Sequence, residues 1–487
     1  MRKRGGADVA FTGPSRGTHE VGRLRVTLAS VKSVLKHPGS VENPECGFHD
    51  SCSVRRTVLV LRSSELKRVA HDNRVKLADK SPAGSRLRYE RLEFRVQRLG
   101  KKADIDTRDA TRNPLLGHNT MHKFGVGVIG ATGYIGTPYR AEIRQSPDDA
   151  RIVALCARRR DRLEAAAKED SAELITDDWR EVVEHPDVDV VMVLTPDALH
   201  IEPALAAAEL GKHLVCEKPL GMDVGEADRI WGAYREKKLG HFVPLWTRYI
   251  PAFQRARQIV TEGKLGEVRA IVYRWHNPRP LATPFTWRDD ASLSSAGSIA
   301  DVGSHAYDAL RWTLGEQAQR VLAHARPITP EKPDVGAIDL EEALTWGGEH
   351  QLADSPQLRQ GATPDYANVA IEFESGAVGT MVLSHAPVLS MQLAPELELH
   401  GTEASLSVSR VTGELKLDGR GGDRPELVDT LPFPGFGNRF SQYVFPALRE
   451  RMESGSSDHP GLDDGWFAQR FTNAASRSAL EGGWVEV

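Results

Sequence analysis

An apolar segment, Phe124 to Ile129, runs without interruption into Gly130-Ala131-Thr132-Gly133-Tyr134-Ile135-Gly136. This junction constrains the fold more than any other part of the chain. An unbroken apolar run reads as a strand buried on both faces, as in a parallel sheet. Glycines in the turn that follows let the backbone approach a pyrophosphate, and a helix starting at Tyr134 would aim its free N–H groups at it. The spacing is GxxGxxG, one residue longer than GxGxxG. Taken alone, the turn fits a tight strand-to-helix connection equally well. Gly130, Thr132, Gly133, Tyr134 and Ile135 are the candidate cofactor contacts.

The segments that follow repeat the strand–helix alternation. Ile152–Cys156 reads as the second strand and leads into Ala157-Arg158-Arg159-Arg160. A site selective for NAD usually places Asp or Glu there, on the ribose hydroxyls. Arg158 and Arg159 suit a 2′-phosphate instead, so NADP is expected over NAD. A third strand, Val188–Leu194, is apolar throughout and ends in Thr195-Pro196-Asp197-Ala198-Leu199-His200. Loops at the carboxyl ends of such strands are where ligands bind. Thr195, Pro196 and His200 are therefore candidate cofactor neighbours. Leu214-Val215-Cys216 then delivers Glu217 and Lys218. An ammonium at this edge can be partly buried and its pKa lowered. The Lys218–Pro219 bond is expected to be cis more often than the ~5% base rate for X-Pro.

Beyond about residue 240 the pattern changes. A helix over Ala252–Glu262 stops at Gly263-Lys264-Leu265-Gly266. The loop Pro284-Phe285-Thr286-Trp287-Arg288-Asp289 offers an aromatic face and a cation, which suits a polyhydroxylated ring. A helix starting at Ala296-Gly297-Ser298 carries Asp301, His305 and Asp308. Asp301 and His305 are four apart and share a face. A carboxylate beside an imidazole fixes its tautomer and raises its basicity. Alternating segments at 367–374, 376–384, 397–401, 404–408 and 413–418 predict an open, largely antiparallel sheet. Residues 330–363 read as an insertion or long loop over the cleft. Helices are expected over Arg439–Ser454 and Asp463–Ala479.

At 487 residues the chain is too long for one ordinary core. The expected division is a leader over 1–120, a dinucleotide domain over 121–240 and an α+β substrate and oligomerisation domain over 241–487. No run approaches the ~18 apolar residues of a membrane helix, and no apolar h-region follows the basic start. The four cysteines make neither a zinc spacing nor a disulfide framework, which suits a reducing cytoplasm and no metal. Residues 1–120 hold 25 Lys and Arg against 13 Asp and Glu, while the remainder holds 38 against 54. A basic arm can bind nucleic acid. These residues carry little periodicity and no motif beyond a possible strand at Thr57–Leu61, so a disordered leader or upstream sequence is expected, with Met121 as the natural start and no nucleic-acid partner.

From Met121 to Val487 the chain resembles the glucose-fructose oxidoreductase / inositol dehydrogenase / MocA family. The resemblance rests on the glycine turn, the Thr195-Pro196…His200 loop, Glu217-Lys218-Pro219, Arg248-Tyr249-Ile250-Pro251, Gly263–Gly266, the Asp301/His305/Asp308 helix and the ending Ser476–Trp484. It implies a Rossmann domain followed by an α+β domain. It implies that Lys218, Asp301 and His305 are catalytic, with Glu217 and Lys218 also at the cofactor. Arg248, Trp287, Arg288 and Asp308 would join Lys218, Asp301 and His305 at the substrate. The chain departs from the family in the extra turn residue and in Ala296-Gly297, where many members carry two glycines.

The expected activity is NAD(P)-dependent hydride transfer to or from a secondary alcohol of a sugar, inositol or anhydrosugar. Lys218 would bind the reacting oxygen, His305 would move the proton, and Asp301 would orient His305 or the substrate. Alternatives are a nicotinamide-dependent glycosidase and a non-catalytic sugar sensor. A homodimer or homotetramer through the C-terminal sheet is expected, with a small polyol as ligand and no membrane partner.

Overall fold

The computed structural model describes residues 122–487, apart from 356 and 422–424, and two short N-terminal strands, Ala7–Val9 and Leu24–Val26, which pair antiparallel. Otherwise the expectations for residues 1–120, including the strand at Thr57–Leu61, lie outside the described residues.

From Phe124 onward the chain alternates strand and helix as its apolar runs dictate. β1 (Phe124–Ile129) leads to α1 (Gly136–Arg144), then β2 (Ala150–Cys156), α2 (Arg160–Asp170), β3 (Leu174–Thr176) and α3 (Trp179–Glu184). β4 (Val190–Val193), α4 (Ile201–Glu209), β5 (His213–Cys216), α5 (Val224–Arg235) and β6 (His241–Phe242) complete the set. The six strands pair in parallel in the order β3-β2-β1-β4-β5-β6. This is the doubly wound arrangement in which ligands bind outside the carboxyl ends of the strands. All six residues of β1 are buried, as its unbroken apolar run predicts. β6 lies past the expected boundary at residue 240.

The second half opens with α6 (Pro251–Thr261), β7 (Val268–His276) and α7 (Ser298–Leu314), followed by β8 (Ala318–Arg326). After an excursion come β11 (Tyr366–Phe373), β12 (Val378–Ser384), β13 (Leu397–Gly401), β14 (Ala404–Val408), β15 (Glu414–Gly419) and β16 (Glu426–Thr430). With β17 (Val485–Glu486) they form a nine-stranded sheet, β16-β15-β14-β13-β7-β12-β11-β8-β17. Only β7 and β12 run parallel among these neighbours. The mostly antiparallel sheet buries one face under α6, α7 and the long α10 (Leu462–Glu481). Gly303 allows α7 to lie close on the sheet, since a Cβ there would stand 2.8 Å from Leu383 Cδ1.

Two findings depart from the sequence reading. Residues 327–365 are not a bare loop. They hold β9 (Lys332–Pro333), α8 (Leu340–Glu349) and β10 (Leu358–Arg359), with α8 closed at its start by a capping box between Asp339 and Glu342. The C-terminal segment also returns to the dinucleotide domain. Phe440 and Val444, then Phe445 and Leu448 of α9 (Phe445–Ser454), pack with Phe124, Val126 and Val215. No helix among the described residues is long and apolar enough to cross a membrane.

Candidate active site

The glycine turn is built as a cradle, though not with the expected helix start. Gly130 has φ +87°, and a Cβ there would stand 2.5 Å from the Leu194 oxygen. Helix α1 begins at Gly136 rather than Tyr134, because residues 130–135 form the turn itself. The Gly133 amide donates to the Gly130 carbonyl at 3.1 Å, whereas the amides of Thr132, Tyr134 and Ile135 have no acceptor among the described residues. Three free donors at the end of β1, beside a helix N-terminus, fit a pyrophosphate.

The loops after β4 and β5 are tied together by His200. This fully buried ring sits between two carbonyl oxygens, Nδ1 at 2.8 Å from Pro219 O and Nε2 at 2.8 Å from Thr195 O. His200 therefore positions the Thr195-Pro196 and Lys218-Pro219 loops and is sealed from any ligand. Lys218–Pro219 is cis. Asp197, buried in the same loop, accepts from the Ser295 amide at 2.9 Å and hydroxyl at 3.0 Å, which links the cofactor side to the start of α7. Glu217 lies behind the cleft. Its carboxylate accepts from the Tyr139 hydroxyl at 3.0 Å, which in turn accepts from Trp246 Nε1 at 2.7 Å. Burial raises the Glu217 carboxyl above its ordinary pKa against the pull of Lys218.

Lys218 and Asp301 meet as the sequence suggested. Lys218 Nζ donates to Asp301 Oδ1 at 2.6 Å and to the Asp301 carbonyl at 2.9 Å. The other carboxylate oxygen, Oδ2, lies 3.3 Å from Arg279 Nη2, 3.5 Å from Arg288 Nε and 3.2 Å from His385 Nε2. Burial alone would raise this carboxyl, but Lys218 and Arg288, with His385 alongside, hold it well below the usual carboxylate range. Asp301 is not hydrogen-bonded to His305. The carboxylate is drawn toward the four cationic or imidazole groups around it, and the half-buried His305 instead stacks on Trp275, with ring centroids 5.9 Å apart. Its Nδ1 has no partner among the described residues. Burial and the neighbouring Lys218 charge push the His305 imidazole down to about 3, so the ring is neutral at physiological pH.

Two expected substrate ligands lie elsewhere. Arg248 and Asp308 are both buried and bind each other, with Arg248 Nε 2.8 Å from Asp308 Oδ2. Arg248 Nη2 also reaches Asp464 Oδ1 at 2.6 Å. The charge pair is consumed under α10, which leaves neither residue free to meet a substrate. Arg288 does border Asp301, and its guanidinium stacks on the Trp287 ring at 4.3 Å.

At the carboxyl end of β2, Arg159 is spent on the insertion. Its guanidinium donates to Glu342 at 3.0 Å and Asp339 at 3.0 Å, and Arg162 joins the same two acids. Arg158 is exposed, with no side-chain partner among the described residues. Sequence reasoning missed Arg279 and His385. Both lie in short loops that leave a strand and contain proline, Asn277-Pro278-Arg279-Pro280 after β7 and His385-Ala386-Pro387 after β12, and loops are where functional residues concentrate.

A dinucleotide cradle beside a lysine–aspartate pair and a neutral histidine defines a nicotinamide-dependent oxidoreductase. The chain belongs to the GFO/IDH/MocA oxidoreductase family: residues 124–243 match its NAD-binding Rossmann domain and residues 253–407 its C-terminal domain. It is similar to a levoglucosan dehydrogenase of Pseudarthrobacter phenanthrenivorans, with 28% identity over 66% of this chain and 86% of the relative. It is also similar to a myo-inositol 2-dehydrogenase of Thermotoga maritima, with 27% identity over 59% of this chain and 75% of the relative. Among solved structures, a levoglucosan dehydrogenase in complex with NADH and L-sorbose superposes with TM-score 0.62 at 25% identity, covering 75% of this chain and 99% of that one.

Proposed function

We propose that this oxidoreductase interconverts a secondary alcohol and a ketone on a sugar-like ring. The observation that carries the reading is the Lys218–Asp301 contact of 2.6 Å at the carboxyl end of β5, with the neutral His305 on the same face of α7 as Asp301. Similarity to dehydrogenases of levoglucosan and myo-inositol supports the substrate class.

A bound dinucleotide would supply the hydride acceptor or donor, its pyrophosphate held by the amides of Thr132, Tyr134 and Ile135 and its nicotinamide end beside Thr195 and Pro196. Lys218 holds the reacting oxygen and lowers its pKa. His305 takes the hydroxyl proton in oxidation and returns it in reduction. Asp301 positions the Lys218 ammonium. General acid–base help of this kind contributes roughly 10²–10⁴ in rate. The cofactor preference turns on the arginines at the end of β2. Arg158 has no side-chain partner among the described residues and could meet a 2′-phosphate, whereas the α8 acids that hold Arg159 and Arg162 at this edge favour NAD. The exposed face of the nine-stranded sheet is the proposed surface of self-association, and light scattering would decide it. The free, buried thiols of Cys156 and Cys216 support a reducing, cytoplasmic setting.

The test is nicotinamide absorbance with purified protein, NAD and NADP in parallel, across inositols, aldoses and anhydrosugars. Sustained reduction with one of them is the expected result. Tight cofactor binding without net turnover of any sugar would overturn the dehydrogenase reading and favour a transiently oxidising glycosidase or a sensor.

A further inference from the structure

We infer that the substrate of this site is an acidic sugar, recognised through its anionic group by Arg279 and Arg288. The inference deepens the oxidoreductase reading and rests on it for the location of the site. Four arginines are buried among the described residues: Arg140, Arg248, Arg279 and Arg451. Two are held by carboxylates, Arg140 by Asp170 at 2.5 Å and Arg248 by Asp308 at 2.8 Å, while Arg451 donates to the His459 carbonyl at 2.9 Å and keeps one buried nitrogen without an acceptor among the described residues. Arg279 makes a single long contact, 3.3 Å, to an Asp301 oxygen already shared with other groups. A buried guanidinium has five donors and seldom goes unpaired.

Arg288 shows the same surplus. Its side chain is 14% exposed, its Nε stands 3.5 Å from Asp301, and that buried nitrogen has no hydrogen-bond acceptor among the described residues. Stacking on Trp287 at 4.3 Å fixes the plane of the guanidinium without using its hydrogens. Arg410 stacks on Trp275, against which His305 packs, and its Nε likewise has no acceptor among the described residues.

The nearby acids do not balance this charge. Asp301 already receives Lys218. Asp289 is taken by Lys332 at 2.5 Å and caps its own turn at the Thr286 amide. Asp365 accepts from the amides of Ile328 at 2.7 Å and Thr329 at 3.0 Å. A neutral polyol would leave two desolvated guanidinium forks facing hydroxyls. A carboxylate or phosphate matches their geometry bidentately. Arg279 and Arg288 stand on either side of the Asp301 carboxylate, whose charge Lys218 already offsets, so an anion bound here would be held by the two guanidinium groups.

The deciding experiment is calorimetric titration of the NADH-loaded full chain with matched pairs: a hexuronate and a hexose 6-phosphate, each against its neutral hexose, and an inositol phosphate against inositol. Turnover is measured in parallel. The acidic member should bind about 10- to 100-fold tighter than its parent, the range that hydrogen bonds to charged groups supply. The uronate and phosphate arms identify which anion is read. Added salt should weaken the acidic ligand and not the neutral one. Arg288→Gln should reduce the preference by about tenfold, and Arg288→Lys should restore part of it. The salt dependence of the unaltered protein still decides the matter if either variant misfolds. Equal binding within every pair, tighter binding of the neutral members, or no binding at all overturns the inference, even if a neutral sugar is oxidised. Tight binding of an acid with no sugar turned over keeps the anion site and overturns the oxidoreductase reading.

Discussion

At the scale of single residues, position in the chain exposed some roles and concealed others. The placement of Lys218 beside Asp301 was legible because a strand end followed by proline in a doubly wound sheet leaves an ammonium few places to go. Arg248 and Asp308 were misread because a charged residue in a sequence looks the same whether it faces a cleft or a buried counter-charge. Lys218→Ala should lower kcat by roughly 10²–10⁴ with near-native circular dichroism; a rate within a few-fold of the parent would remove Lys218 from the chemistry. Arg248→Met leaves Asp308 buried without its partner and should cost about 3–5 kcal/mol in denaturant unfolding. If instead it raised KM with stability intact, Arg248 would belong to the substrate after all. Two buried histidines set a pH trend. Burial pushes His241 down to about 3 and His385 to about 4, both below the ordinary value of 6.5. The unfolded chain therefore binds protons that the native state refuses, and stability is lost as pH falls from about 6.5 toward 4. Each histidine contributes a slope of roughly 1.4 kcal/mol per pH unit within that window. Urea midpoints at pH 7.5 and 5 would check this, and a flat profile would refute it.

At the scale of elements, the parallel strands were readable because burial on both faces demands unbroken apolar runs. The helix α8 was missed, because the surrounding Pro, Gly and acidic residues read as loop, although Asp339-Leu340-Glu341-Glu342 has the spacing of a capping box. Its docking on Arg159 and Arg162 was not readable, because the partners lie about 180 residues apart. If the acids of α8 set cofactor choice, Asp339→Asn with Glu342→Gln should free both arginines and raise the NADP to NAD ratio in kcat/KM by about tenfold, the worth of one charged contact. An unchanged ratio would leave Arg158 as the only candidate. Gly130→Ala tests the cradle. A side chain at φ +87° that also meets the Leu194 carbonyl should weaken NADH binding by at least about tenfold and cost about 1–3 kcal/mol in stability. Unaltered NADH affinity, read by fluorescence titration, would show that the turn does not hold the cofactor.

At the scale of the whole molecule, the order of domains followed from the switch between apolar runs and alternating strands, but the way the chain closes on itself did not. Nothing in the spacing of Phe440, Phe445 and Leu448 says that their partners are Phe124 and Val126 rather than their own sheet, because burial patterns identify a face and not the surface that covers it. Synthesis is directional, so this has a consequence on the ribosome. The dinucleotide sheet emerges long before the segment that completes its core. Until about two hundred further residues have been made, the nascent domain shows the tunnel exit an apolar side with no cover, a natural station for a chaperone, and its final locking waits for one of the last helices to be translated.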